Sequence, residues 1–407
     1  MQSFVYCLAM EMFRKSERDR RMATRCVQGT KIPIAGPAVE SIAQTSTFVF
    51  ENQKEMLRAV RGKSEKNVYT RWTNPTTVNA QEKISALERT ESTLLLSSGM
   101  AAISSSVMGL TKKGDRVLSS DSIYGGTLHL FEDVLPRNGI EVDFVEQGEF
   151  VDAIEDSKSE HRLCFFETPT NPALRLMDIE RVAEASKSAG LTSIIDNTFA
   201  TPINQHPHQL GIDIVIHSAT KYLGGHSDLI AGSVSGRTNH IHKIDSTARL
   251  LGGTIDPFAS FLLERGIKTL AVRMEKHNSN AALLARELSK DGRIRRVYYP
   301  GLASHPDHDI AKRQMDGYGG MLTIEIDRDL KSTEVFVDSL EIFLNAVSLG
   351  GVESLASIPV LTTHYGIDEN VLGEMNVSNS TVRLSVGIED PHDLLYDIQN
   401  ALDKSVQ

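Results

Sequence analysis

The chain has 407 residues, 40% of them hydrophobic and 24% charged, which is the mixture of a folded protein with room for two packed domains and not that of a disordered tail. Its 43 Lys and Arg against 53 Asp and Glu leave a formal charge of −10, so general affinity for a phosphate backbone, and with it a nucleic-acid partner, is not expected. Cys7, Cys26 and Cys164 form neither a disulfide framework nor a zinc spacing, no apolar run approaches the ~20 residues of a membrane span, and no long apolar leader precedes a cleavage site. A cytoplasmic protein without a membrane partner is expected.

The first 22 residues mix Arg14, Lys15, Arg18, Arg20 and Arg21 with Glu11, Glu17 and Asp19, a pattern that predicts a solvated extension without chemistry. From Thr93 onward, short apolar runs at 94–96, 116–118, 142–145, 163–166, 193–195 and 212–216 alternate with amphipathic stretches. Continuous apolar runs of this length predict buried strands of a mostly parallel sheet. The 178–190 interval shows the linking helices: Asp178 caps the start, Val182, Ala183, Ala185 and Ala189 form the apolar face, and Gly190 suits the end. Beyond Arg265 a long helical pattern carries Leu270, Val272, Asn280, Ala281, Leu283 and Leu284. Strands at 321–326, 343–347 and 382–386 follow, and then a helix capped by Asp390, opened by Pro391 and faced by Leu394, Leu395, Ile398 and Leu402. The fold class is therefore α/β, a large mostly parallel sheet followed by a smaller C-terminal α/β domain.

The chemistry-bearing residues cluster at predicted strand ends, where α/β sheets place ligands. His217-Ser218-Ala219-Thr220-Lys221 closes one apolar strand. On these five residues alone a surface lysine and a reactive one weigh evenly. Asp196-Asn197-Thr198 closes the preceding strand, so Lys221 and Asp196 can reach one crevice, although Asp196 could equally cap a turn. Pyridoxal phosphate needs such a pair, a lysine for its aldehyde and a carboxylate for its ring nitrogen. Upstream, Ser97 to Ala102 joins a strand to a small-residue helix whose N–H groups could meet a phosphate. Tyr124, Gly125 and Gly126 offer a ring and close backbone approach, and Glu167 to Pro172 offers polar groups. His206/His208 and His240/His242 lack ligand partners at metal spacing, so no metal is expected, and Gly317 to Gly320 reads as a turn.

Together with Tyr69-Thr70-Arg71, Asn74-Pro75-Thr76, Gly225-His226-Ser227-Asp228, Ser348-Leu349-Gly350-Gly351 and Arg383 to Gly387, these segments resemble the Cys/Met-metabolism family of pyridoxal-phosphate enzymes over nearly the whole chain. The resemblance implies the aspartate-aminotransferase-like (type I) fold, with an N-terminal extension and arm at 1–72, a cofactor domain at 73–268 and a C-terminal domain at 269–407. It implies that Lys221 bonds pyridoxal 5'-phosphate and shuttles protons, that Asp196 pairs with the ring nitrogen, that Tyr124 stacks on the ring, and that Asn171 and Glu167 lie near its phenolate oxygen. Gly99, Met100, Ser218 and Thr220 would hold the phosphate, with Tyr69 and Arg71 reaching it from a neighbouring subunit of a homotetramer, a dimer of dimers with shared sites. Arg383 would clamp the substrate carboxylate, with Ser348 and Val347 beside it.

The implied reaction is elimination at Cγ of a sulfur-containing amino acid, giving a 2-oxo acid, ammonia and the leaving group. The same residues also suit γ-replacement by a thiol, as in cystathionine γ-synthases and acylhomoserine sulfhydrylases, and methionine γ-lyase activity. Gly126 stands where methionine γ-lyases carry cysteine, whereas Val347 stands where cystathionine-specific members carry glutamate, so the subtype markers are mixed. A catalytically silent binding protein is the remote alternative, disfavoured by the intact Lys221, Asp196, Tyr124 and Arg383.

Overall fold

The computed structural model describes residues 20–29, 37–157, 160–362, 365 and 377–405, and the extension expected at 1–19 lies outside them. Seven strands, β1 Ser92–Leu96, β2 Arg116–Ser120, β3 Glu141–Val145, β4 Leu163–Glu167, β5 Thr192–Asp196, β6 Ile214–His217 and β7 Gly232–Gly236, build the large sheet in the order β1-β7-β6-β5-β4-β2-β3. The strands from β3 across to β6 pair in parallel, and β7 runs antiparallel to both β6 and β1. β1 therefore points the same way as β6, and the predicted strand ends emerge on one edge.

Side chains alternate across these strands with period two, which separates two cores. Phe165, Ile194 and Ile216 pack with Ile103 and Val107 of the helix Gly99–Leu110 and with Ile241 and Ile244 of the helix Thr238–Leu251. Their neighbours Phe166, Ile195 and Val215 face the opposite side, against Phe150, Ile154 and Val182. The 178–190 helix forms as its caps predict: Asp178 accepts from the Arg181 N–H, and Gly190 ends it with φ 75°.

A second sheet, β8 Ile294–Tyr298, β9 Met321–Ile326, β10 Leu344–Asn345, β11 Leu355–Ser357 and β12 Thr381–Ser385, has the order β10-β11-β12-β9-β8 and is antiparallel except for β10 with β11. The helices Leu270–Leu288 and Pro391–Lys404 pack on it through Leu284, Leu288, Leu394 and Ile398. The run at 343–347 yields only the two-residue β10, because Phe343 is buried while Leu344 to Val347 are exposed. Val272 also turns outward, at 63% exposure, since the helix buries Leu270, Arg273 and Met274 instead. Among the described residues no helix is long and apolar enough to cross a membrane.

Candidate active site

Beyond β6 the chain turns tightly, with the Lys221 N–H donating to Ser218 O and the Gly225 N–H to Lys221 O, and the lysine side chain leaves this turn. Its Nζ donates to Ser348 Oγ at 2.6 Å. Burial, and after it the charge of Arg383, brings the Lys221 amine down to about 8. Ser348 adopts φ 87°, a left-handed conformation uncommon for a residue with a side chain. Arg383 Nη2 donates to Ser348 O at 3.0 Å, and its Nη1 donates to Asn171 Oδ1 at 3.1 Å. Arg383 is only 3% exposed, and burial lowers its guanidinium to about 10. The small sheet thus delivers Arg383 and Ser348 to the lysine at the large sheet's edge.

On the adjoining strands Glu167 and Asp196 are register partners. Asp196 is half-buried, and burial lifts its carboxyl above the ordinary range against the pull of two donors from Thr198, the N–H and the hydroxyl, both on Oδ1. Glu167 is raised well above that range, by burial and then by the Asp196 charge beside it. Its Oε1 accepts the Tyr124 N–H at 2.9 Å, which anchors the turn carrying the exposed Tyr124 ring. A side chain at Gly126 would begin 2.6 Å from Tyr124 Cε1 and 3.2 Å from Met100 Sδ, so the glycine makes room for that ring.

Ser98 caps the helix Gly99–Leu110 by accepting from the Ala101 N–H, and the first-turn N–H groups of Gly99 and Met100 have no helical carbonyl to meet. A Cβ on Gly99 would stand 2.8 Å from Ser218 Cβ, so the helix start and Ser218 form two walls of one cradle. The Thr220 hydroxyl is engaged by Ala231, donating to its carbonyl at 3.2 Å and accepting its N–H at 3.0 Å. Tyr69 and Arg71 sit elsewhere on the surface: Arg71 stands 5.7 Å over the Tyr69 ring and donates to Arg249 O at 2.6 Å. Val347 is 60% exposed beside Ser348.

A profile of the Cys/Met metabolism PLP-dependent enzymes matches residues 23–403. The chain belongs to this family. It is 42% identical over 344 residues to a cystathionine beta-lyase of Lactococcus lactis, a match covering 84% of this chain and 90% of that protein. It is 41% identical over 337 residues to a cystathionine gamma-lyase of Dictyostelium discoideum, covering 83% and 87%. The crystal structure of a cystathionine gamma synthase from Xanthomonas oryzae, in complex with aminoacrylate and cysteine, superposes with a TM-score of 0.89 at 33% identity over 95% of this chain and 99% of that one.

This family member is a PLP-dependent enzyme of trans-sulfuration chemistry. Its strand-end groups fit the cofactor: a lysine amine lowered toward neutrality, a carboxylate with both protein donors on one oxygen, and a glycine-walled cradle with free N–H groups. Thr198 had no role assigned from sequence, yet its hydroxyl donates to Asp196 and accepts the Ser218 N–H at 2.8 Å, tying carboxylate to cradle. Its position two residues after an aspartate, where Asx turns close, was the available signal.

Proposed function

We propose that the enzyme eliminates the Cγ substituent of a sulfur-containing or related Cγ-substituted amino acid, as a cystathionine γ-lyase does, releasing a 2-oxo acid, ammonia and the leaving group. The observation that carries this reading is the Lys221 amine, near 8 and hydrogen-bonded to Ser348 within reach of Arg383. An amine of that basicity can take a proton from Cα and later handle one at Cβ near neutral pH, the two transfers that loss of a Cγ group requires. Pyridoxal phosphate, when bound, supplies the electron sink that makes both positions acidic.

In this reading Arg383 receives the substrate carboxylate as a planar bidentate donor, exchanging Asn171 for it. Ser348 aims the Lys221 amine. Tyr124 covers the cofactor ring, and Asp196, with both Thr198 donors on Oδ1, pairs with the ring nitrogen. Asn171 and Glu167 border the phenolate oxygen, Gly99, Met100, Ser218 and Thr220 serve the phosphate, and Val347 borders the substrate's distal end. Tyr69 and Arg71, which in this protomer lie with Arg249, serve the phosphate of an adjacent subunit in a cytoplasmic homotetramer.

For cystathionine the balance is one water consumed and 2-oxobutyrate, ammonia and cysteine formed. Incubation with cystathionine, methionine and an O-acylhomoserine, with chromatographic identification of the products, tests the assignment. Pyruvate with homocysteine from cystathionine would mean Cβ cleavage and would overturn it. A second reading, γ-replacement, draws on the open surface at Val347, where a thiol could approach the same site. Cystathionine formed from the O-acylhomoserine and cysteine faster than 2-oxobutyrate would establish that reading instead.

A further inference from the structure

The small sheet has an apolar face and a polar one. Leu322, Ile324 and Ile326 of β9, with Val382 and Leu384 of β12, pack against the helices Leu270–Leu288 and Pro391–Lys404. Thr323, Arg383 and Ser385 alternate with them along the strands, so they face the other way, and all three are buried. A polar side chain taken out of water costs free energy unless it is hydrogen-bonded, so the partners of this face show what it holds.

The register of β12 with β9 sets Thr323 directly beside Arg383, and Ser385 lies two residues further along the same face. The guanidinium has two acceptors, Asn171 Oδ1 and Ser348 O, each on a loop. Both loops are tied to a hydroxyl that flanks the arginine. The Thr323 hydroxyl donates to Pro172 O at 2.6 Å, one residue beyond Asn171. The Ser385 hydroxyl accepts the Gly350 N–H at 2.9 Å, two residues beyond Ser348. A Cβ on Gly350, whose φ is 78°, would stand 2.7 Å from Tyr222 N, so the loop at Ser348 is also pressed against the turn that carries Lys221. Thr323 and Ser385 are 0% and 1% exposed, so neither hydroxyl is open to a ligand.

We propose that Thr323 and Ser385 are a pair of positioning residues for carboxylate recognition. By pinning the loops that bear Asn171 and Ser348 they fix both acceptors of Arg383, and so hold its guanidinium fork in place before the substrate carboxylate replaces Asn171. The proposal rests on the reading of Arg383 as the carboxylate clamp.

The test uses holoenzyme and two ligands that differ only in the carboxylate. Norleucine has no leaving group at Cγ, and pentylamine is the same chain with hydrogen in place of the carboxylate. Absorbance titration of the bound cofactor gives both dissociation constants, and their ratio reports the carboxylate contact. Thr323→Val keeps the size of the side chain and removes one hydroxyl, and Ser385→Ala removes the other. Each is expected to weaken norleucine about fivefold, the effect of losing one hydrogen bond of ordinary strength, and to leave pentylamine unchanged. Thr323→Ser keeps the hydroxyl and should bind both ligands as the wild type does. The two hydroxyls are tested independently, so Ser385→Ala carries the test if Thr323→Val does not fold. Equal weakening of both ligands, no change for either, or the same loss in Thr323→Ser as in Thr323→Val overturns the proposal. Arg383→Lys serves as the reference: if the ratio survives there, the clamp reading of Arg383 falls and takes the proposal with it, whereas a collapse there without an effect at Thr323 or Ser385 refutes the positioning pair alone.

Discussion

Burial, and after it the Arg383 charge, disfavours the ammonium form of Lys221, so a larger fraction of its amine is uncharged at neutral pH than in a free lysine. The rate at which apoenzyme captures the cofactor aldehyde should therefore rise with pH and level off above about 8, the value at Lys221. Arg383→Met removes one of the two causes and should move the midpoint upward, toward the ~10.4 of a free lysine. Stopped-flow absorbance across the pH range measures both, and a wild-type midpoint near the free-lysine value would contradict the account. Lys221→Ala should abolish multiple turnover while leaving the far-ultraviolet circular dichroism intact, since it removes one half-buried side chain from a complete core. Asp196 and Lys221 stand out in the sequence as candidates because one closes an apolar strand and the other follows four residues after the end of another. The bonds of Arg383 to Asn171 and to Ser348 O do not, because they join residues 212 and 35 positions apart.

The final helix shows what periodicity reads and what it misses. Leu394, Ile398 and Leu402 are buried as their spacing predicts, and Asp390 accepts the His392 N–H as the expected cap. Asp397 shares that inward stripe at 4% exposure, and its carboxylate accepts the N–H groups of Glu341, Ile342 and Phe343 at 2.8, 2.9 and 3.1 Å. An aspartate in a helix is ordinarily read as solvent-facing, so only its packed partners reveal this role. Asp397→Ala leaves three donors without their acceptor and should destabilise the protein by about 2–4 kcal/mol, measurable as a lowered urea midpoint. A change within about 0.5 kcal/mol would mean that water replaces the carboxylate. β7 was missed for a related reason. Gly-Ser-Val-Ser-Gly has no apolar run, and a Cβ on Gly232 would stand 2.0 Å from Ser98 O, so small residues are required where the strand passes the cradle.

At the scale of the whole molecule, Tyr69 and Arg71 are exposed, Arg71 standing over the Tyr69 ring and donating to Arg249 O, and in the proposed reading they complete the phosphate site of an adjacent subunit. Mixed dimers of Arg71→Ala and Lys221→Ala chains should then recover activity that neither homodimer has, because one of the two hybrid sites combines an intact Lys221 with an intact Arg71. Verified heterodimers without activity would count against shared sites. The α/β class, the parallel strands, the strand-end residues and the family were determined by the sequence alone, since apolar runs, caps and motif order are local properties of the chain. Tertiary structure decided that Glu167 turns to Tyr124, that Thr198 links Asp196 to Ser218, that Arg383 and Ser348 come to Lys221, and that Glu88 lies against His217. Each of these contacts depends on which strands become neighbours and how far the second sheet closes over the first, and pairings between distant segments are set by the packing of the cores and leave no periodic trace in sequence.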